Sequence, residues 1–190
     1  QKQGLGRYFH YFKQNNSQRE HLLFNMATGS GKTMMMAALI IEKFKQGERN
    51  FIFLVNNKNI VMKTRDNFLN STSSKYLFTN RIMIDNQLVS IREVEDFSSS
   101  SKDNINIIFK TIQKLHEDLN TPRENGLSYE QFEDLSVVIL ADEAHHLNAG
   151  LGADENKDNN SWTKTIELIK EKSKKSSVLE FTATIDLGIA

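Results

Sequence analysis

Cysteine is absent from the 190 residues, which rules out disulfides and cysteine-based zinc sites within this chain. Proline occurs once, at Pro122, so few hard backbone breaks interrupt the helices and strands. Net charge is also missing: Lys+Arg and Asp+Glu are each 24. A global electrostatic signature for nucleic acid is therefore lacking, and any such site must be local. No apolar run approaches the roughly 20 residues that span a bilayer, and no signal-peptide pattern is visible. A cytoplasmic protein with no membrane partner is the expectation. What is present is ordinary for a globular protein, with 38% apolar and 25% charged residues and length enough for a real core.

The chain is organised around Met26-Ala27-Thr28-Gly29-Ser30-Gly31-Lys32-Thr33. Before it stands a short apolar run, Leu22-Leu23-Phe24, and after it a long one, Met34 to Ile41. That order reads as strand, glycine-bearing loop and helix. Such a turn points backbone N–H groups at one spot and adds the positive end of the helix dipole. Lys32 can reach β- and γ-phosphates, and the Thr33 hydroxyl can ligate Mg²⁺. The pattern is G-x-x-x-x-G-K-S/T with one departure, Met26 at the first glycine. A plain Gly-Ser turn before a helix is the competing reading, and the flanking strand and helix argue against it.

Along the chain, Gln1 to Asn16 carries Leu5, Tyr8, Phe9 and Phe12 at helical spacing, an amphipathic helix packed on the core. A buried helix over Lys32 to Gln46 stops at Gly47. Phe51 to Val55 is an unbroken apolar strand, Asn56 to Asn70 a helix, and Tyr76 to Phe78 and Arg81 to Ile84 are possible strands. Gln87 to Val94 reads as an edge strand or hairpin. Ile105 to Phe109 is a strand, Thr111 to Leu119 a helix, and Val137 to Leu140 the clearest buried strand. Ser161 is expected to N-cap a helix from Trp162 to Lys172, before a last strand, Val178 to Phe181. Stretches 98–104 and 148–160 are expected to be mobile surface loops. The alternation predicts an α/β fold, a doubly wound and mainly parallel sheet with helices on both faces. Ligands of such sheets bind beyond the carboxyl ends of the strands.

Asp142-Glu143 ends the clearest buried strand. An NTPase needs such an acidic pair beside its phosphate loop: Asp142 to hold Mg²⁺ with Thr33, and Glu143 to orient or deprotonate the attacking water. Alone, the pair could equally be a solvated strand end.

Three motifs, Ala27-Thr28-Gly29-Ser30-Gly31-Lys32-Thr33, Asp142-Glu143-Ala144-His145 and Thr182-Ala183-Thr184, resemble motifs I, II and III of the DEAH-type superfamily 2 helicases. The surrounding residues, Asp142 to Leu147 and Glu180 to Thr184, resemble the helicase part of Type III restriction enzyme Res subunits. The resemblance covers nearly the whole chain and implies a RecA-like ATP-binding lobe over residues 1–190. It implies ATP and Mg²⁺ as cofactors, with catalytic roles for Lys32, Asp142 and Glu143. Thr28, Gly29, Ser30, Gly31, Lys32 and Thr33 would hold nucleotide, and Gln1 stands where such proteins keep an adenine-reading glutamine. A glutamine at that place can also simply be solvated. The resemblance further implies that His145, Thr182 and Thr184 couple nucleotide state to a partner lobe, and that Asn56, Asn57, Lys58, Thr111 and Gln113 contact nucleic acid. Helix capping and turn chemistry fit those five equally well.

The partners implied are double-stranded DNA, a second RecA-like lobe of the full-length protein and a methyltransferase or specificity subunit. That second lobe, which carries the arginine finger in the family, and any nuclease domain lie outside this chain. The expected activity is an ATP-dependent DNA helicase or translocase whose isolated lobe binds ATP but hydrolyses it poorly. The competing readings are another P-loop NTPase class and a nucleotide-responsive binding module without turnover. Asn57-Lys58-Asn59-Ile60 fails the guanine motif at its fourth position, and no arginine-bearing lid of a kinase is visible. His145-His146 lacks further metal ligands at suitable spacing. The run Lys170 to Lys175 reads as a solvated helix end rather than a DNA patch.

Overall fold

The computed structural model describes residues 2–14, 19–79, 81–121, 126–142 and 157–183. At its centre lies β2 (Asn50–Val55), all six residues of which are buried. Its side chains alternate between two cores: Phe51, Phe53 and Val55 enter one, Ile52 and Leu54 the other. An apolar run without polar interruptions is what a strand covered on both faces requires. β7 (Ser136–Asp142) repeats the division, with Val138 and Leu140 on the first side and Val137, Ile139 and Ala141 on the second.

With β1 (Arg19–Asn25), β5 (Ile91–Glu93), β6 (Ile105–Thr111) and β8 (Lys175–Thr182), these strands form a six-stranded sheet in the order β1-β8-β7-β2-β6-β5. Every pairing in it is parallel. The first core is roofed by three helices: α1 (Lys2–Gln14) through Tyr8, α2 (Lys32–Lys45) through Met35, Met36, Leu39 and Ile40, and α3 (Lys58–Leu69) through Phe68. The second is roofed by α4 (Ile112–Asn120) through Leu115 and Leu119, and by α5 (Lys157–Lys172) through Ile166 and Ile169. The expected doubly wound parallel sheet is the fold observed.

Gly47 ends α2 as expected. It adopts φ +96°, a region open to glycine, and its N–H donates to the Phe44 carbonyl while that of Glu48 donates to Lys43. Three expectations need correcting, and a fourth, the edge strand or hairpin over Gln87 to Val94, resolves into both of its alternatives. Tyr76 to Phe78 forms no strand, because the Leu77 N–H is taken by the Asn67 carbonyl and the Phe78 ring packs edge-on against Phe68 at 5.2 Å. Gln87 to Val94 splits in two. β4 (Gln87–Val89) turns back on β3 (Ile82–Ile84) through Asp85 and Asn86, both at positive φ, while β5 joins the main sheet edge. Ser161 lies inside α5 rather than at its N-cap, so 157–160 are its first turn and not loop. Phe9, placed on the packed face by spacing, is 39% exposed.

The 98–104 stretch carries many hydrogen bonds. The buried Asn106 amide donates to the Ser101 carbonyl at 2.8 Å and accepts from its N–H, and Arg49 Nε donates to the Lys102 carbonyl. Among the described residues no helix is long and apolar enough to cross a membrane.

Candidate nucleotide site at the carboxyl edge of the sheet

The loop after β1 is fastened at its start and shaped by its glycines. The Met26 N–H donates to the Thr182 carbonyl at 2.8 Å, and the Ser30 N–H to the Ala27 carbonyl at 3.1 Å. Gly29 and Gly31 adopt φ +76° and +89°, where an L side chain is strained. A Cβ on Gly29 would meet nothing within 4 Å, so its glycine is required by backbone conformation and not by space. Gly31 stands at the N-cap of α2 with no side-chain cap hydrogen bond. The first-turn N–H groups of α2 therefore face the loop as an anion-binding end.

Strand order then brings the acidic residue to the loop. β8 separates β1 from β7, and the register sets Asn25 beside Thr182 and Phe181 beside Asp142. Lys32 reaches across that strand end: its Nζ lies 3.6 Å from Asp142 Oδ1, with both side chains only 12–13% exposed. At that distance the contact is a charge pairing rather than a tight hydrogen bond. Thr33 is half-buried in the next position of α2. A carboxylate and a hydroxyl are hard oxygen donors, the set Mg²⁺ takes alongside waters and phosphate oxygens, so the residues present fit that ion. Among the described residues no cluster of three or more His, Cys, Asp or Glu offers a separate metal site.

A cleft of about 560 Å³ opens beside the loop, lined by Gln3, Arg7 and Tyr11 of α1 and by Met26, Ala27 and Ser30. The three α1 residues were not singled out from sequence, although their spacing of four puts them in one helical stripe. Met26, the departure from the phosphate-loop pattern, is half-buried in the cleft wall.

The five nucleic-acid candidates gather one strand beyond Asp142, where β2 and β6 end side by side. Gln113 Nε2 donates to Asn56 Oδ1 at 2.9 Å, joining the two strand ends. Asn57 caps α3 by accepting from the Asn59 N–H, and Thr111 caps α4 by accepting from the Lys114 N–H. Lys58 is exposed at the first position of α3. Capping is thus what the Asn57 and Thr111 side chains do here. Thr28 is exposed in the loop, and Thr182 is buried at the β8 end. Gln1, Glu143, His145 and Thr184 lie outside the described residues. Of the run Lys170 to Lys175, three lysines are paired, with Glu167, Glu133 and Glu48.

The profile described as "Type III restriction enzyme, res subunit" matches residues 1–187. A relative in Haemophilus influenzae, the "Probable type III restriction-modification enzyme HindVIP Res subunit", is 54% identical over 129 residues. That alignment covers 68% of this chain and 25% of the relative, so the chain spans about a quarter of its length. Among solved structures, the UvsW helicase from Bacteriophage T4 aligns over 90% of this chain and 49% of its own, at 17% identity and TM-score 0.49. A nuclease-deletion mutant of the Type ISP restriction-modification enzyme LlaGI, in complex with a DNA substrate mimic, aligns over 93% and 16%, at 19% identity and TM-score 0.41.

Proposed function

We propose, from the premise that the chain belongs to the Type III restriction enzyme Res-subunit family, that this Res-type helicase domain is the ATP-binding motor lobe of a DNA translocase or helicase. The observation that carries the reading is the meeting of Lys32 and Asp142 over the end of β8, beside an uncapped helix N-terminus. A plain turn and a solvated strand end have no reason to converge in a pocket where both side chains are nearly buried.

Bound Mg²⁺–ATP would supply the transferable phosphoryl group and the ion that neutralises its charge. The chain's own part is positioning. Backbone N–H groups of the loop and of the first turn of α2, other than that of Ser30, would cradle phosphate oxygens, and Lys32, beside Asp142 here, would pair with the β- and γ-phosphates. Asp142 and Thr33 would hold the ion, and Glu143, next in sequence, would accept a proton from the attacking water or orient it. The cleft under α1 takes the nucleoside, with Gln1 as the adenine reader. Asn56, Asn57, Lys58, Thr111 and Gln113 contact one strand of double-stranded DNA, through phosphates and helix N-termini. His145, Thr182 and Thr184 relay nucleotide state to a second RecA-like lobe, whose arginine completes the site. The full protein works in the cytoplasm with a methyltransferase or specificity subunit.

Nucleotide binding tests the site. Lys32→Ala is expected to weaken a fluorescent ATP analogue by at least tenfold in Mg²⁺, and Asp142→Asn to remove the Mg²⁺ dependence of that binding. Native affinity in the Lys32 variant would contradict the assignment.

A further inference from the structure

At the opposite end of α2 from the phosphate loop, Lys43 is buried to 1% exposure. Its Nζ donates to Glu20 Oε2 and, at 3.0 Å, to Ser177 Oγ, and it lies 5.7 Å from the centre of the Tyr8 ring. Those partners come from β1, β8 and α1. Glu20 and Ser177 stand side by side in the β1–β8 register, the same strand pair that carries Met26 and Thr182 at its other end. Tyr8 also lines the cleft beside the loop.

Lys32 at the loop end pairs with Asp142, and Gln46 just past α2 donates to the Tyr8 hydroxyl at 3.5 Å; between them the contacts of α2 with the sheet are apolar, through Met35, Met36, Leu39 and Ile40. Contacts of that kind are non-directional and tolerate sliding or rolling of a helix. A buried ammonium with directed donors does not. Nor is the cluster a good stabiliser, since Glu20 Oε1 finds no hydrogen-bond partner among the described residues. A well-packed apolar group of the same size would hold the fold as well or better.

We propose that Lys43 is a positioning residue: clamped between Glu20, Ser177 and the Tyr8 ring, it fixes the axial register of α2 against β1, β8 and α1, and so sets the loop–cleft spacing that nucleotide must match. The helix transmits this over roughly 16 Å, from Lys43 to Lys32, at 1.5 Å per residue. The inference rests on the nucleotide-binding reading of the loop.

The test is made in the full-length protein with Lys43→Met, with Glu20→Gln and Lys43→Met together, and with Ser177→Ala. Each is followed by thermal unfolding, by titration with a fluorescent ATP analogue in Mg²⁺, and by DNA-stimulated ATPase. Lys43→Met alone leaves a buried carboxylate unpaired and is expected to lower both Tm and affinity. The neutral pair is expected to regain most of the native Tm. Its Kd and its KM for ATP stay about threefold or more above native, with kcat at saturating ATP retained. Native Kd and KM in a stable neutral pair would overturn the proposal. If the pair fails to fold, Ser177→Ala decides: weaker analogue binding at native Tm supports the clamp, and native binding overturns it. Lys32→Ala run in parallel separates the failures. Lost binding there with native binding in the neutral pair sinks only Lys43, whereas retained binding in Lys32→Ala sinks the site and the clamp together.

Discussion

Gly29 sits at φ +76° in open space, so substituting alanine there tests backbone conformation alone. The left-handed region costs an L-residue about 1–2 kcal/mol. Gly29→Ala is therefore expected to lower unfolding free energy by about that amount and to weaken nucleotide binding, as denaturant titration and analogue binding would show; native values for both would mean the loop is not held in that conformation. Glu143→Gln keeps shape and removes the proposed base, so turnover in the full-length protein should fall by orders of magnitude while ATP binding persists. Lys32 and Asp142 could be picked out from sequence as candidates because phosphate chemistry would demand those residue types in a fixed local order, and the structure brings their side chains to 3.6 Å. The Gln113–Asn56 hydrogen bond could not be picked out, since it depends on β2 and β6 being neighbours, which no local pattern states.

At the level of elements, strands buried on both faces announce themselves as apolar runs, unbroken in the cores of β2 and β7 and interrupted by Asn106 in β6, and all three fall where expected. Tyr76 to Phe78 has the same look but spends its apolar groups sideways, with Phe78 inserted against Phe68. Phe78→Ala should cost about 3 kcal/mol in chemical denaturation by emptying that contact; a loss below a few tenths would mean the ring is not packed there. The β6–α4 corner is held by Asp118, which pairs with Lys110 at 2.7 Å and with Lys114 at 3.0 Å. Burial pushes its carboxyl up, and the two lysines together pull it below the ordinary carboxylate range. A depressed carboxylate contributes stability that is fully present above the unfolded value, about 3.9, and is lost as pH falls through the folded one. Asp118→Asn should therefore flatten the acid limb of the stability curve, measured by urea unfolding between pH 5 and pH 3; an unchanged limb would contradict the pairing.

The α/β class of the whole molecule followed from the alternation of elements, but the order β1-β8-β7-β2-β6-β5 did not, because it is fixed by pairings far apart in sequence. That order is what turns separate motifs into one site: it sets β8 between the loop and Asp142 and puts the ends of β2 and β6 on the same edge. The chain spans about a quarter of the relative it matches in Haemophilus influenzae. If a second lobe supplies the arginine that completes the proposed site, ATP turnover should belong to the full-length protein and not to these residues alone. The deciding measurement is ATPase rate, with and without double- and single-stranded DNA, on the full-length protein beside the 190-residue chain. Strong DNA stimulation confined to the full-length protein, with very slow turnover by the chain alone, is the expected result. Brisk, DNA-independent hydrolysis by the 190 residues would contradict it and identify a self-sufficient NTPase.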